Sequence, residues 1–272
     1  MIDSLAAEIR DGRAILFVGA GVSAGLGLPS WSELIDRLGE DLGFDADVFA
    51  ALSSSFLPLA EYYRLEKGSI GALRSWMDRE WAVDDQKLRH FRPHELIIEL
   101  GFQLIYTTNY DRLLERSFEL RQHKINKIVN ARDIARADVK LPTIVKFHGD
   151  FDDDTSLVLS ESDYFHRLAF DAPLDVKLRA DALGRSILFI GYSLSDINIR
   201  LMLFRMKNMW RDSGYESSQP RSYIFMPRPN VVQERVLKAW GIDPIVSDVA
   251  QEGDALNTFL AELLNAVREG RP

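Results

Sequence analysis

The run Ala14–Val18 is apolar at every position and has no polar face. Such a run suits a strand buried on both sides of a parallel sheet. Similar runs recur at 103–106, 143–147, 186–190, 222–225 and 244–246. Helical spacing of apolar residues fills 2–10, 31–41, 110–120, 196–209, 231–239 and 255–268. Short apolar strands alternating with helices predict an α/β fold built on a doubly wound, Rossmann-like, mostly parallel sheet. Two stretches depart from the alternation. Residues 45–100 carry helical patterns and no strand, and 152–183 read the same way, with helices at 162–170 and 174–183. The first stretch is too long for one crossover. Together they read as helical insertions forming a small module beside the sheet, within one domain spanning 1–272. There is no internal repeat.

Composition narrows the function. The 272 residues are 46% apolar and 27% charged, a globular balance. Lys plus Arg number 33 against 41 Asp plus Glu, a net charge of −8. Nucleic acid and anionic lipid repel such a chain, so neither is expected as a direct partner. The absence of cysteine removes disulfides, thiolate nucleophiles and cysteine-held zinc. The first residues, with Asp3 and Glu8 and no long apolar run, read as neither a signal peptide nor a membrane span. A cytoplasmic setting fits.

Four polar or glycine motifs each follow an apolar run. The first is Gly19-Ala20-Gly21-Val22-Ser23-Ala24-Gly25. Glycines there permit a sharp turn and close approach of backbone to a ligand, and a helix start favours an anion. The pattern satisfies the loose G-x-G-x-x-G/A dinucleotide fingerprint. A dehydrogenase would want an acid about 20 residues on at a strand end. Here Glu40 and Asp41 close a helical pattern instead. The second motif is Thr107-Thr108-Asn109-Tyr110-Asp111, where Thr108 or Asn109 could simply cap a helix. The third is Lys146-Phe147-His148-Gly149-Asp150, and the fourth runs from Gly191 through Tyr192, Ser193, Leu194, Ser195, Asp196 and Ile197 to Asn198. Taken singly, His148 fits a structural residue and the fourth motif a turn plus a cap. In open α/β sheets, however, ligands bind beyond the carboxyl ends of the strands, and all four motifs belong there. Other groupings carry less. His90 and His94 have the i, i+4 spacing of helix-borne metal ligands, but Pro93 lies between them. Asp150, Asp152, Asp153 and Asp154 read as a solvated acidic turn.

GAGVSAGLGLPSW resembles the sirtuin signature, TTNYD the sirtuin T-Q-N-[IV]-D, His148-Gly149 the His-Gly, and Gly191-Tyr192-Ser193 the later G-[TS]-S. The motifs occur in family order over about residues 14–200. Sirtuin deacylases usually carry four zinc-binding cysteines after His-Gly, and an Arg where Ser32 follows Trp31; this chain has neither. TTNY, GYSLSD-x-N-x-R and the helical insertion resemble instead the zinc-free sirtuin-like domains of bacterial anti-phage defence proteins, which hydrolyse NAD.

That resemblance implies an NAD glycohydrolase (NADase) releasing nicotinamide and ADP-ribose, with NAD as substrate and no metal. It implies Asn109 and His148 as catalytic residues and Asp111 at the nicotinamide amide. Gly19, Ala20, Gly21 and Ser23 would cradle the pyrophosphate, and Gly191, Ser193 and Asn198 would meet the adenosine half. Alternatives are a zinc-free deacylase or ADP-ribosyltransferase, and a non-catalytic NAD- or ADP-ribose-binding subunit. Because the chain ends soon after the sheet, a homo-oligomer or a separate sensor or ATPase protein from the same operon is expected to supply regulation.

Overall fold

The structure is a computed structural model that describes residues 1–194, 196–249 and 252–270. The strands are β1 (Ala14–Val18), β2 (Leu104–Thr107), β3 (Asn126–Ile128), β4 (Thr143–Lys146), β5 (Ser186–Ile190), β6 (Ser222–Met226) and β7 (Ile242–Val246). They form one sheet in the order β3-β4-β2-β1-β5-β6-β7, every pairing parallel. Without the short edge strand β3, this is the Rossmann order, which reverses at β1. The expected doubly wound α/β fold is present.

Side chains of β1 alternate between two cores. Ala14, Leu16 and Val18 face one, Ile15 and Phe17 the other, and β5 divides its residues likewise. The first core is covered by α1 (Ile2–Arg10), α8 (Arg92–Leu100), α9 (Leu113–Leu120) and α15 (Glu252–Glu269). The second lies under α12 (Pro173–Leu183), α13 (Ile197–Asp212) and α14 (Val231–Ala239). Burial on both faces is why these strands read as unbroken apolar runs.

A third core lies beside the sheet. It joins α3 (Trp31–Leu42), α4 (Ala46–Ala51), α5 (Phe56–Lys67) and α6 (Gly71–Glu80) to Tyr110, Phe151, Leu157 and Leu159. Helix α3 starts with a capping box between Ser30 and Glu33 and stops at Gly43, whose φ is +84°. Helix α11 (Glu161–His166) is tied to this group: Arg64 pairs with Asp163 at 2.8 Å, and Glu61 accepts from the Ser162 amide at 2.9 Å. Helices α2 (Ala20–Ala24), α7 (Asp85–Arg89) and α10 (Ala131–Arg136) are short connectors. Among the described residues no helix is long and apolar enough to cross a membrane.

Candidate functional site

The register places the four motifs side by side. Val18 pairs with Thr107 on one side and with Ile190 on the other, and Thr107 pairs with Lys146. Gly19 and Gly191 therefore leave β1 and β5 one residue beyond a shared rung. Asn109 and His148 lie two residues beyond the same rung on β2 and β4. Reversal of strand order at β1 opens the crevice there.

The two glycine turns pack on each other. The Gly19 amide donates to Ile190 O and the Gly21 amide to Gly191 O, both at 2.9 Å. A Cβ on Gly19 would fall on Gly191 O and lie 2.6 Å from Tyr192 Cδ2. On Gly21 it would lie 2.9 Å from Gly191 O, and on Gly191, where φ is +58°, it would lie 2.5 Å from Val22 N. Contact between loops is thus sufficient reason for these glycines. It also commits two of the amides expected to cradle a pyrophosphate. Ala20 and Gly21 remain exposed on the five-residue α2.

Ser23 is buried and joins the first motif to the second. Its hydroxyl donates to Asp111 Oδ2 at 3.0 Å and accepts from Asn109 Nδ2 at 3.2 Å. Asp111 Oδ1 accepts the Leu113 amide at 3.1 Å. Asp111, not Asn109, therefore holds the start of α9, which begins three residues later than the pattern suggested. With its amide nitrogen on Ser23, Asn109 turns Oδ1 away, and that oxygen is buried without a partner.

His148, beyond the neighbouring strand β4, is 3% exposed and edge-on to Tyr164 with ring centres 5.3 Å apart. Its Nε2 lies 3.2 Å from Asp196 Oδ2, ion-pair distance without hydrogen-bond alignment. Burial pushes the imidazole down to about 4; Asp196 opposes this and Arg167 adds to it. The imidazole is neutral at physiological pH. The Tyr192 hydroxyl is likewise buried beside Asp196 and Thr108, raised well above its ordinary range by burial first and then by Asp196. Both atoms of the Asn198 amide are buried without a partner on the first turn of α13. Buried polar atoms are normally satisfied, so this concentration of open ones around the crevice marks it for a ligand. Leu194, three residues beyond Gly191, has a φ of +51°, a strained conformation of the kind found at binding sites.

A family model for the SIR2-like domain matches residues 103–245, just over half of the chain. The chain belongs to the SIR2-like family. Among curated relatives, it is 29% identical to the NAD(+) hydrolase ThsA of Bacillus cereus over 81% of this chain and 44% of that protein. It is 30% identical to the ThsA of Enterococcus faecium over 78% of this chain and 44% of that one. Defense-associated sirtuin 2 of Bacillus subtilis is 28% identical over 79% of this chain and 21% of its own length. The chain thus spans less than half the length of these relatives.

Within this SIR2-like domain the remaining expected residues fall as follows. Gly191 forms the second turn. Ser193 is exposed beyond it, its carbonyl accepting from Gln233 Nε2 at 2.9 Å. Ser195 lies outside the described residues. The zinc of sirtuin deacylases does not fit this chain. It has no cysteine, and among the described residues no group of three or more acidic or histidine side chains is arranged for a metal. His94 is buried with Nδ1 on Ser117 Oγ at 2.7 Å, and His90 bonds Gln86 O at 2.7 Å.

Two groups at the site carry no motif signal of their own. Asp196 was read only as a cap. Lys146 is fully buried beside the turns that carry Asn109 and His148, where its ammonium donates to Asp111 O and lies 3.0 Å from Glu115 Oε1 and 3.6 Å from Asp150 Oδ2. Asp150 is itself fully buried and paired with Lys127 at 3.2 Å, so the acidic turn is not wholly solvated. An ion in an otherwise apolar strand was the available signal for Lys146.

Proposed function

We propose that this domain hydrolyses NAD to nicotinamide and ADP-ribose, and that it serves anti-phage defence by depleting NAD. The observation that carries the reading is the placement of an unpartnered Asn109 Oδ1 and a buried His148 side by side, two residues beyond one rung of the adjacent strands β2 and β4. The names of the relatives support the same chemistry. Cleavage of the nicotinamide–ribose bond passes through a sugar cation, as in glycoside hydrolysis. Nicotinamide leaves from a positively charged state and needs no general acid. Asn109 Oδ1 faces the developing cation or orients water, and Ser23 fixes its direction. His148 takes a proton from the attacking water or from a ribose hydroxyl. Asp111 positions the nicotinamide amide, the Ala20–Gly21 face meets the pyrophosphate, and Gly191, Ser193 and Asn198 meet the adenosine half.

Activation is read as depending on self-assembly or on a partner. The test is incubation of purified protein with NAD, alone and with the products of neighbouring genes. Nicotinamide and free ADP-ribose are expected, whereas acyl-ADP-ribose or labelled protein would indicate transfer. Asn109→Ala and His148→Ala should lose turnover by about a hundredfold or more while still binding NAD. Absence of nicotinamide release in every assembly state would overturn the reading.

A further inference from the structure

We propose that Asp196 is the positioning partner of His148, fixing its proton on Nε2 and leaving the lone pair on Nδ1 for proton abstraction. The pairing stands on geometry; its catalytic meaning rests on the proposed hydrolysis. Asp196 cannot easily swing away, because Oδ1 accepts the amides of Asn198 at 2.8 Å and Ile199 at 3.1 Å and so caps α13. This clamp leaves Oδ2 facing His148 Nε2 at 3.2 Å, with the Tyr164 hydroxyl at 3.5 Å, and the buried Tyr192 hydroxyl also reaches this carboxylate. A carboxylate oxygen only accepts, and a neutral imidazole has one N–H and one lone pair. Oδ2 therefore selects the Nε2–H form and makes Nδ1 the basic atom. The ligand-free contact lacks alignment, as catalytic hydrogen bonds often do before substrate binds.

The step then balances. A water proton passes to Nδ1, and the oxygen pair so freed bonds to the ribose carbon. The carbon–nitrogen pair departs with nicotinamide and cancels its ring charge. The imidazolium forms with its Nε2–H toward Asp196. The other groups facing the ring are Tyr164 and Arg167 on the α11 side, and Arg167 is itself paired with Asp175. Among the described residues, Asp196 is the one group there that favours the protonated ring.

Asp196→Asn and Asp196→Ser test this, because both keep an oxygen that caps a helix well. Asn lacks the charge, and Ser is too short to reach His148. If Asp196 only caps, both variants behave as wild type. Nitrogen-15 NMR of the full chain, with the His148 ring assigned by its loss in His148→Gln, should show the Nε2–H tautomer at neutral pH. In Asp196→Asn the ring should titrate lower than in wild type. Nicotinamide release should fall on the order of tenfold or more, the scale on which losing a histidine's orienting partner is felt, with NAD affinity kept. A proton found on Nδ1 in wild type overturns the pairing. So does an unchanged titration together with unchanged turnover in a folded Asp196→Asn. The tautomer is read on the unaltered protein and decides even if the variants fold poorly. The expected tautomer and shift, with no nicotinamide from any assembly, would sustain the pairing and sink the hydrolysis reading instead.

Discussion

Removing one buried oxygen, in Ser23→Ala, tests whether the site is held by a link between its first two motifs. The Ser23 hydroxyl joins Asp111 at 3.0 Å to Asn109 at 3.2 Å, and Ser23 and Asp111 are buried. Loss of a buried hydrogen bond to a carboxylate costs roughly 1.5–3 kcal/mol, and the neutral bond to the Asn109 amide about 1 kcal/mol. The volume removed is one oxygen atom, so no cavity term is added. The sum is about 2–4 kcal/mol. For a domain of this size each kcal/mol lowers Tm by roughly 2 °C, so a fall of about 4–8 °C is expected. Asp111 keeps its bond from the Leu113 amide, so α9 should still form. Asn109 loses the contact that aims its Oδ1, and turnover should fall more steeply than NAD affinity. The assay pairs a thermal melt with nicotinamide release and NAD binding on one preparation. A Ser23→Ala protein with wild-type Tm and wild-type turnover refutes the link; a lowered Tm with full turnover confines it to folding.

Other outcomes follow from the same structure. Lys146→Met leaves the Glu115 carboxyl buried without its cation, while Asp150 keeps only Lys127, and urea unfolding should show a loss of about 3–5 kcal/mol; a wild-type midpoint contradicts this. Gly149→Ala places a Cβ 2.5 Å from the Ser156 carbonyl carbon at a φ of +96°. The backbone conformation alone costs about 1–3 kcal/mol, and displacement of the adjacent His148 should remove nicotinamide release; full activity in a stable variant excludes that account. His94 is held down to about 3 by burial and Arg121, and His148 to about 4 by burial, with Asp196 opposing and Arg167 adding. In the unfolded chain each titrates near 6.5, so the unfolded state binds more protons as pH falls below that value. This contribution to stability is whole above about pH 6.5 and is lost progressively toward about pH 4. Urea melts at stepped pH should show the decline, and His94→Gln should flatten it; a flat wild-type profile across the window rejects it.

The strands were legible because burial on both faces leaves an unbroken apolar signature, as in Ala14–Val18 and Ser186–Ile190. Strand β3 was not: Asn126-Lys127-Ile128 is short, half polar and at the sheet edge, where one neighbour is enough. The late start of α9 was hidden because the helical spacing runs back to Tyr110, while Asp111 holds the chain in a turn until Leu113. Motif order brought Asn109 and His148 to one end of the sheet, since that follows from strand alternation and register. The partners of those residues were beyond reach. Asp196 lies far along the chain from His148, and its local fit as a cap concealed a second use. Ser23 looked suited to a phosphate because its neighbours are glycines, yet its hydroxyl turns inward to residues on another strand.

The face-to-face packing of the glycine turns has a consequence for how such a domain can be recombined. Gly19 and Gly21 come from the first strand exit and Gly191 from the fifth, yet each fills the space that a side chain on the other would need. Two distant stretches of chain thus form one steric unit, and neither can drift alone. A chimera joined anywhere between β1 and β5 inherits one turn from each parent and brings together surfaces that never shaped each other. Crossovers placed before β1 or after α13 keep the pair intact. Within the pair, a second substitution meets turns already forced apart, so its effect should be smaller than when it is made alone. The inheritable unit of this site is the matched pair of turns, larger than any one motif along the chain.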